Sequence, residues 1–143
     1  MVAVLAAGVK ARRARATMCY KTQMKKRILV VDDDPTIHAL LRAYLQKDYD
    51  VLSAQDGLQG LMMAKQAKPD LVILDVQMPA GGGSSVFEKL KIMTDTCTLP
   101  ILVLTGSTPE EAMSRVPGLT PEQVLTKPTP AETLRAAVAR ALS

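Results

Sequence analysis

Aromatic side chains are scarce in this chain of 143 residues. Tryptophan is absent, there is one phenylalanine, and aromatics make up 3% of the sequence, although 48% of the residues are hydrophobic. Aliphatic residues and methionines therefore have to fill the interior. A chain of this length suits one domain with one compact core.

Cysteines are few, and long apolar runs are missing. Cys19 and Cys97 fit neither a disulfide framework nor a CxxC metal motif, so we interpret both as free thiols in a reducing cytosol. The apolar stretch at residues 2–9 is too short to span a bilayer, and it precedes the neighbouring cations, whereas a secretory signal follows them. These features predict a cytoplasmic protein without a membrane span.

Acidic residues are missing from the first part of the chain. Up to Arg27 there are eight cations and no acid, which leaves ten cations against all 14 acids from Ile28 onward. We interpret residues 1–25 as a basic, disordered extension or as the product of an upstream start assignment, with Met24 as the natural beginning. Two alternatives remain open, an organelle transit segment and a contact with nucleic acid or a membrane, although nucleic-acid binding is disfavoured.

Beyond this extension, short apolar runs alternate with segments of helical periodicity. The runs predict strands at 28–31, 50–54, 71–74, 100–104 and 123–126, each followed by a helix. Asp34 is a predicted helix cap, and capping boxes are predicted at Thr108 and Thr129. In the second helix, Leu58, Leu61 and Met62 are predicted to face inward. Strands that are almost continuously apolar predict an α/β fold, with a doubly wound parallel sheet covered on both faces.

Polar residues stand where four of these strands end. They are listed in chain order: Asp32 and Asp33, Asp75, Thr105, Lys127. Ligands of parallel sheets bind at the carboxyl ends of the strands, so these groups are expected to meet. Clustered carboxylates recruit a cation, and Mg²⁺ prefers such oxygen ligands together with a phosphate group. With a lysine to contact phosphoryl oxygens and a hydroxyl donor, the set predicts a site that accepts a phosphoryl group on an aspartate.

The glycines at residues 81–83 invite comparison with a phosphate-binding loop. No GxxxxGK motif is present, so we interpret the segment as a flexible connection between a strand and a helix. His38 has no second histidine nearby, and we expect it to be exposed and to face a partner.

The stretches VVDDDP, LVILDVQMPAGGG, ILVLTG and LTKP closely resemble the receiver domain of two-component response regulators, of the stand-alone, chemotaxis-regulator-like type. The resemblance covers residues 26–143, with no effector domain. It implies a flavodoxin-like fold of five βα units with strand order 2-1-3-4-5.

The resemblance also implies a role for each residue of the site. Asp75 is the phosphoacceptor and also contributes to the metal site. Asp33 is the direct Mg²⁺ ligand, Asp32 acts mainly through water, and the backbone carbonyl of Gln77 completes the site. Further roles are implied as follows: switch hydroxyl at Thr105, phosphate contact at Lys127, cis peptide at Pro128, tuning of hydrolysis at Gln77 and Ser107.

Three positions depart from the family pattern. Val124 stands where receivers usually carry the switch Tyr or Phe, Thr129 replaces a common aromatic, and Gly106 stands where Ala is frequent. Phosphotransfer is expected to survive these changes, whereas the way in which phosphorylation is read out without an aromatic at position 124 is left open.

The resemblance favours a single-domain response regulator in a phosphorelay. It would be phosphorylated by a sensor histidine kinase or a histidine phosphotransfer protein and would signal by contact with an unknown protein target. It would not be an enzyme beyond its own phosphorylation and dephosphorylation. The alternatives are a phosphoryl shuttle or sink and a small Mg²⁺-dependent phosphatase. The missing DxDx[TV]-like motif disfavours the phosphatase.

Overall fold

The computed structural model describes residues 25–78 and 82–143, and the interpretations of residues 1–24 lie outside this range. Within it, strands and helices alternate. The strands are β1 (Arg27–Val31), β2 (Asp50–Ala54), β3 (Leu71–Asp75), β4 (Ile101–Thr105) and β5 (Val124–Thr126). The helices are α1 (Pro35–Leu45), α2 (Gly57–Gln66), α3 (Gly82–Ile92), α4 (Pro109–Arg115) and α5 (Ala131–Leu142), with a 3₁₀ turn at Pro121–Gln123.

The five strands form one parallel sheet in the order β2-β1-β3-β4-β5. This confirms the predicted fold. Parallel pairing brings all carboxyl ends to the same edge, and the strand order reverses next to β1 and β3, where such sheets bind ligands.

Alternate residues of the central strands face opposite layers of the core. One apolar cluster contains Leu29 and Val31 of β1 and packs against α2, α3 and α4. The other contains Ile28 and Val30 of the same strand and packs against α1 and α5. Burial on both faces explains why these strands read as continuous apolar runs.

The caps of the helices follow the sequence with one exception. Asp34 accepts a hydrogen bond from the backbone N–H of Thr36 at 2.9 Å, and Thr108 forms the predicted capping box with Glu111. The capping box predicted at Thr129 is wrong. Its hydroxyl donates instead to the carbonyl of Thr126 at 2.7 Å, since Thr129 belongs to the turn between β5 and α5.

The predicted inward face of α2 is also partly wrong. Leu58 and Met62 are exposed, whereas Gly60 and Ala64 are buried. A Cβ at Gly60 would lie 2.9 Å from the side chain of Val31, so the small residues let α2 approach β1 closely. None of the helices in the described part of the chain has the length and apolar composition to cross a membrane.

Candidate functional site

Two carboxylates are buried at the carboxyl ends of adjacent strands. Val31 pairs with Leu74, so Asp32, which follows β1, lies beside Asp75 at the end of β3. Asp32 is 1% exposed and Asp75 is 5% exposed. Each accepts a hydrogen bond at 2.9 Å from the backbone N–H two residues further along the chain, that of Asp34 and that of Gln77. These local bonds fix the direction in which both carboxylates point.

Lys127 reaches this pair from the end of β5. Its Nζ lies 3.3 Å from Oδ2 of Asp32 and 3.6 Å from Oδ2 of Asp75. The backbone N–H of Lys127 donates to the carbonyl of Thr105 at 2.7 Å, and the peptide bond to Pro128 is cis. One ammonium group is therefore shared between two buried acids.

A third carboxylate completes an acidic cluster. Oxygen atoms of Asp32, Asp33 and Asp75 lie within 4.8 Å of one another, and the side chain of Asp33 is exposed. Burial raises the pKa of Asp32, and the charge of Asp75 adds to this effect, while the N–H of Asp34 and the ammonium of Lys127 oppose it. Three converging carboxylate groups are a donor set that fits a hard divalent cation such as Mg²⁺.

Thr105 is fully buried at the end of β4, and its hydroxyl is engaged locally. Its Oγ1 lies 2.8 Å from Oγ of Ser107 and accepts the backbone N–H of Ser107 at 3.1 Å. Val124, on the adjoining strand β5, is half-buried and packs against the core. Thr105 therefore has a hydroxyl partner within its own loop, while the position usually occupied by the switch aromatic holds a small aliphatic side chain.

Gln77 connects the two loops that border Asp75. Besides donating its N–H to Asp75, it accepts the backbone N–H of Gly106 on its Oε1 at 2.7 Å. The two residues are 29 positions apart in the sequence, which gave no sign of this contact.

Gly83 lies directly behind the phosphoacceptor candidate. A Cβ at Gly83 would collide with the backbone carbonyl of Asp75 and with the Cα of Val76. The flexible connection predicted for residues 81–83 is therefore partly wrong, because residues 82 and 83 already belong to α3 and position 83 needs a glycine for packing.

The expected exposure of His38 is wrong. Its side chain is 8% exposed, and its Nε2 lies 2.7 Å from the backbone carbonyl of Asp32. Since a carbonyl only accepts, Nε2 carries the proton and donates it. The spacing of His38 to Leu41 and Leu45, which share its buried face, is the signal that would have revealed this position.

The arrangement suits phosphoryl chemistry at one carboxylate. Asp75 is held in a fixed orientation, a lysine stands beside it, and the neighbouring acids fit a divalent cation. Positioned positive charge is what the transfer of a phosphoryl group requires, because negative charge is spread over its oxygen atoms during the reaction.

Comparison with known proteins agrees with this geometry. A family model described as the response regulator receiver domain matches residues 28–139. The protein PilH of Pseudomonas aeruginosa is 37% identical over 111 residues, which are 76% of this chain and 90% of PilH. The transcriptional regulator PhoP of Bacillus subtilis is 40% identical over 108 residues, covering 73% of this chain and 43% of PhoP.

A solved structure shares the fold. The chemotaxis response regulator CheY4 of Vibrio cholerae aligns with a TM-score of 0.75 and 31% identity, over 83% of this chain and 100% of that one. Several curated relatives are longer proteins, of which the chain spans between 12% and 43%.

Proposed function

The chain belongs to the response regulator receiver family, and on this basis we propose that Asp75 accepts a phosphoryl group from a histidine kinase or a histidine phosphotransfer protein. The protein then signals within a phosphorelay by contact with another protein. A cytoplasmic location, where such donors act, is part of the proposal.

The observation that carries the proposal is the position of Asp75 between Lys127 and the acidic pair. Its carboxylate lies 3.6 Å from Nζ of Lys127, and its oxygen atoms lie within 4.8 Å of those of Asp32 and Asp33. In the transfer, an oxygen of Asp75 forms a bond to phosphorus. The P–N bond of the phosphohistidine breaks, and the leaving ring nitrogen keeps the electron pair. Lys127 binds the phosphoryl oxygens and offsets their charge.

Asp32, Asp33 and Asp75 would hold Mg²⁺ together with the backbone carbonyl of Gln77. Asp33 would be a direct ligand, and Asp32 would act mainly through water. When bound, the ion supplies positive charge close to the transferring group. Asp32 would then have a second cation beside Lys127, which would offset the burial that raises its pKa.

Thr105 is the proposed sensor of the phosphoryl group. Its hydroxyl would leave Ser107 and donate to a phosphoryl oxygen, which is a stronger acceptor because it is charged. Gln77 lies in the loop that follows Asp75, Ser107 lies in the loop that follows β4, and we expect both to tune hydrolysis.

Val124 favours a second candidate function. A shuttle or sink would pass the phosphoryl group to a phosphotransfer histidine or lose it to water, and it would not need an aromatic switch. The half-buried valine offers no ring that can move when Thr105 moves. A clear change in affinity for a target outside the relay upon phosphorylation would argue for signalling and against the shuttle.

The proposal is tested by incubating the protein with Mg²⁺ and acetyl phosphate and recording its intact mass. We expect the wild type to gain one phosphoryl group, and Asp75→Asn, which keeps the shape of the side chain, to gain none. A chelator should suppress the reaction. A wild type that gains no mass, or a variant that gains as much, would contradict the proposal.

A further inference from the structure

The side chain of Gln77 reaches from the loop after β3, beside Asp75, to the loop after β4. Its backbone N–H donates to Oδ1 of Asp75 at 2.9 Å, and its Oε1 accepts the N–H of Gly106 at 2.7 Å. Because Asp75 is paired with Leu104 across β3 and β4, the carboxamide bridges the ends of two adjacent strands. Asp75 itself is 5% exposed.

From this contact we propose that the carboxamide of Gln77 is an internal cover, which occupies the N–H of Gly106 and has to swing away before a phosphoryl group can bind at Asp75. The inference rests on the proposed function of Asp75 and adds a regulatory step to it. In the unphosphorylated protein, Oε1 of Gln77 accepts the N–H of Gly106. A charged phosphoryl oxygen then replaces Oε1 as the acceptor, since hydrogen bonds to charged acceptors are stronger.

Gly106 supports this inference independently. The backbone conformation at position 106 does not require a glycine, because Gly106 has no positive φ; among the described glycines, Gly118 has one. A Cβ at Gly106 would instead lie 2.9 Å from Oε1 of Gln77. The absence of a side chain at position 106 thus leaves room for the carboxamide to reach the backbone.

The two residues provide two separate ways to remove the cover. Gln77→Ala deletes the carboxamide and keeps the backbone carbonyl that is assigned to the metal. Gly106→Ala keeps Gln77 but pushes its flexible end off the N–H. A neutral hydrogen bond of this kind favours the conformation in which Gln77 contacts Gly106 by about two- to tenfold. Each variant should therefore be phosphorylated about two- to tenfold faster than the wild type.

The test is the rate of phosphorylation of the wild type, both single variants and the double variant by acetyl phosphate and by phosphoramidate at fixed Mg²⁺. We expect the phosphorylation rate to rise by the same factor in both single variants and with both donors. The double variant should show no further increase in rate, because only one contact is lost. Gln59→Ala is the matched control. Its Oε1 also accepts a backbone N–H at 2.7 Å, that of Gln55 in the loop before α2, so its rate should equal that of the wild type.

Unchanged or slower rates in Gln77→Ala and Gly106→Ala, or factors that multiply in the double variant, would overturn the inference. A gain in Gln59→Ala of equal size would do the same. Urea unfolding of all variants separates a change in stability from the effect on the rate. A wild type that is phosphorylated normally while the variants match its rate contradicts the cover alone, whereas a wild type that is never phosphorylated contradicts the proposed function.

Discussion

Replacing Lys127 with methionine should destabilise the protein at neutral pH when divalent ions are removed by a chelator. The ammonium lies 3.3 Å from Asp32 and 3.6 Å from Asp75. Each contact is worth about 5 kcal/mol at most in a medium of effective dielectric constant about 20, before desolvation is subtracted. Removing one partner of a buried pair costs about 3–5 kcal/mol.

Solvent reduces this value, because the side chain of Lys127 is 24% exposed. We therefore expect the free energy of unfolding to fall by about 2 kcal/mol. The assay is urea unfolding followed by far-UV circular dichroism, since the chain has no tryptophan to report on its core. Lys65→Met, at an exposed position on α2, is the matched control and should change the value by less than about 0.5 kcal/mol.

The loss of unfolding free energy in Lys127→Met should depend on pH. The loss arises from buried carboxylate charge that lacks its cation, so it should be complete at neutral pH and shrink in acid as Asp32 takes up a proton. Asp32 protonates above its ordinary pKa of 3.8, because burial raises that pKa. A loss of the same size at pH 3 and pH 7, or an equal loss in Lys65→Met, would refute the electrostatic reasoning.

Three further predictions concern the neighbours of this pair. Asp32→Asn should stabilise the metal-free protein against urea. The pKa of Asp32 is raised in the folded state, so ionisation of this carboxyl opposes folding as the pH rises above 3.8. A urea midpoint equal to that of the wild type at pH 7 would contradict this prediction. Gly83→Ala should cost about 2–3 kcal/mol and slow phosphorylation, because its Cβ collides with the backbone of Asp75; retention of both stability and rate would argue against the close approach. His38→Leu should weaken Mg²⁺ binding about two- to tenfold in calorimetry, because the hydrogen bond from His38 to the carbonyl of Asp32 positions the acidic pair. His38→Gln, which can still donate a hydrogen bond, should restore part of the affinity. Equal affinities in the two variants would contradict a role of His38 in positioning the acidic pair.

The fold follows from local patterns that leave few alternatives. Runs such as residues 71–74 are apolar throughout because β3 is buried on both faces, and parallel strands place Asp32, Asp75 and Lys127 at one edge. The convergence of these groups could therefore be predicted without coordinates.

Details that depend on how elements pack could not be predicted in the same way. The face that α2 buries is decided by how closely Gly60 approaches Val31, and hydrophobicity alone placed Leu58 and Met62 inside. The contact between Gln77 and Gly106 joins two loops that are distant in sequence, and it depends on one side-chain conformation. Periodicity and motif spacing carry no information about such a contact.

The covalent position of the phosphoryl group tests the central proposal most directly. Borohydride reduces an aspartyl phosphate to homoserine, which peptide mass mapping locates in the sequence. After treatment with acetyl phosphate and Mg²⁺, we expect homoserine at Asp75 and at no other aspartate. Homoserine at Asp32 or Asp33, or its absence from the whole chain after efficient recovery of the peptides, would contradict the assignment of Asp75 as the phosphoacceptor.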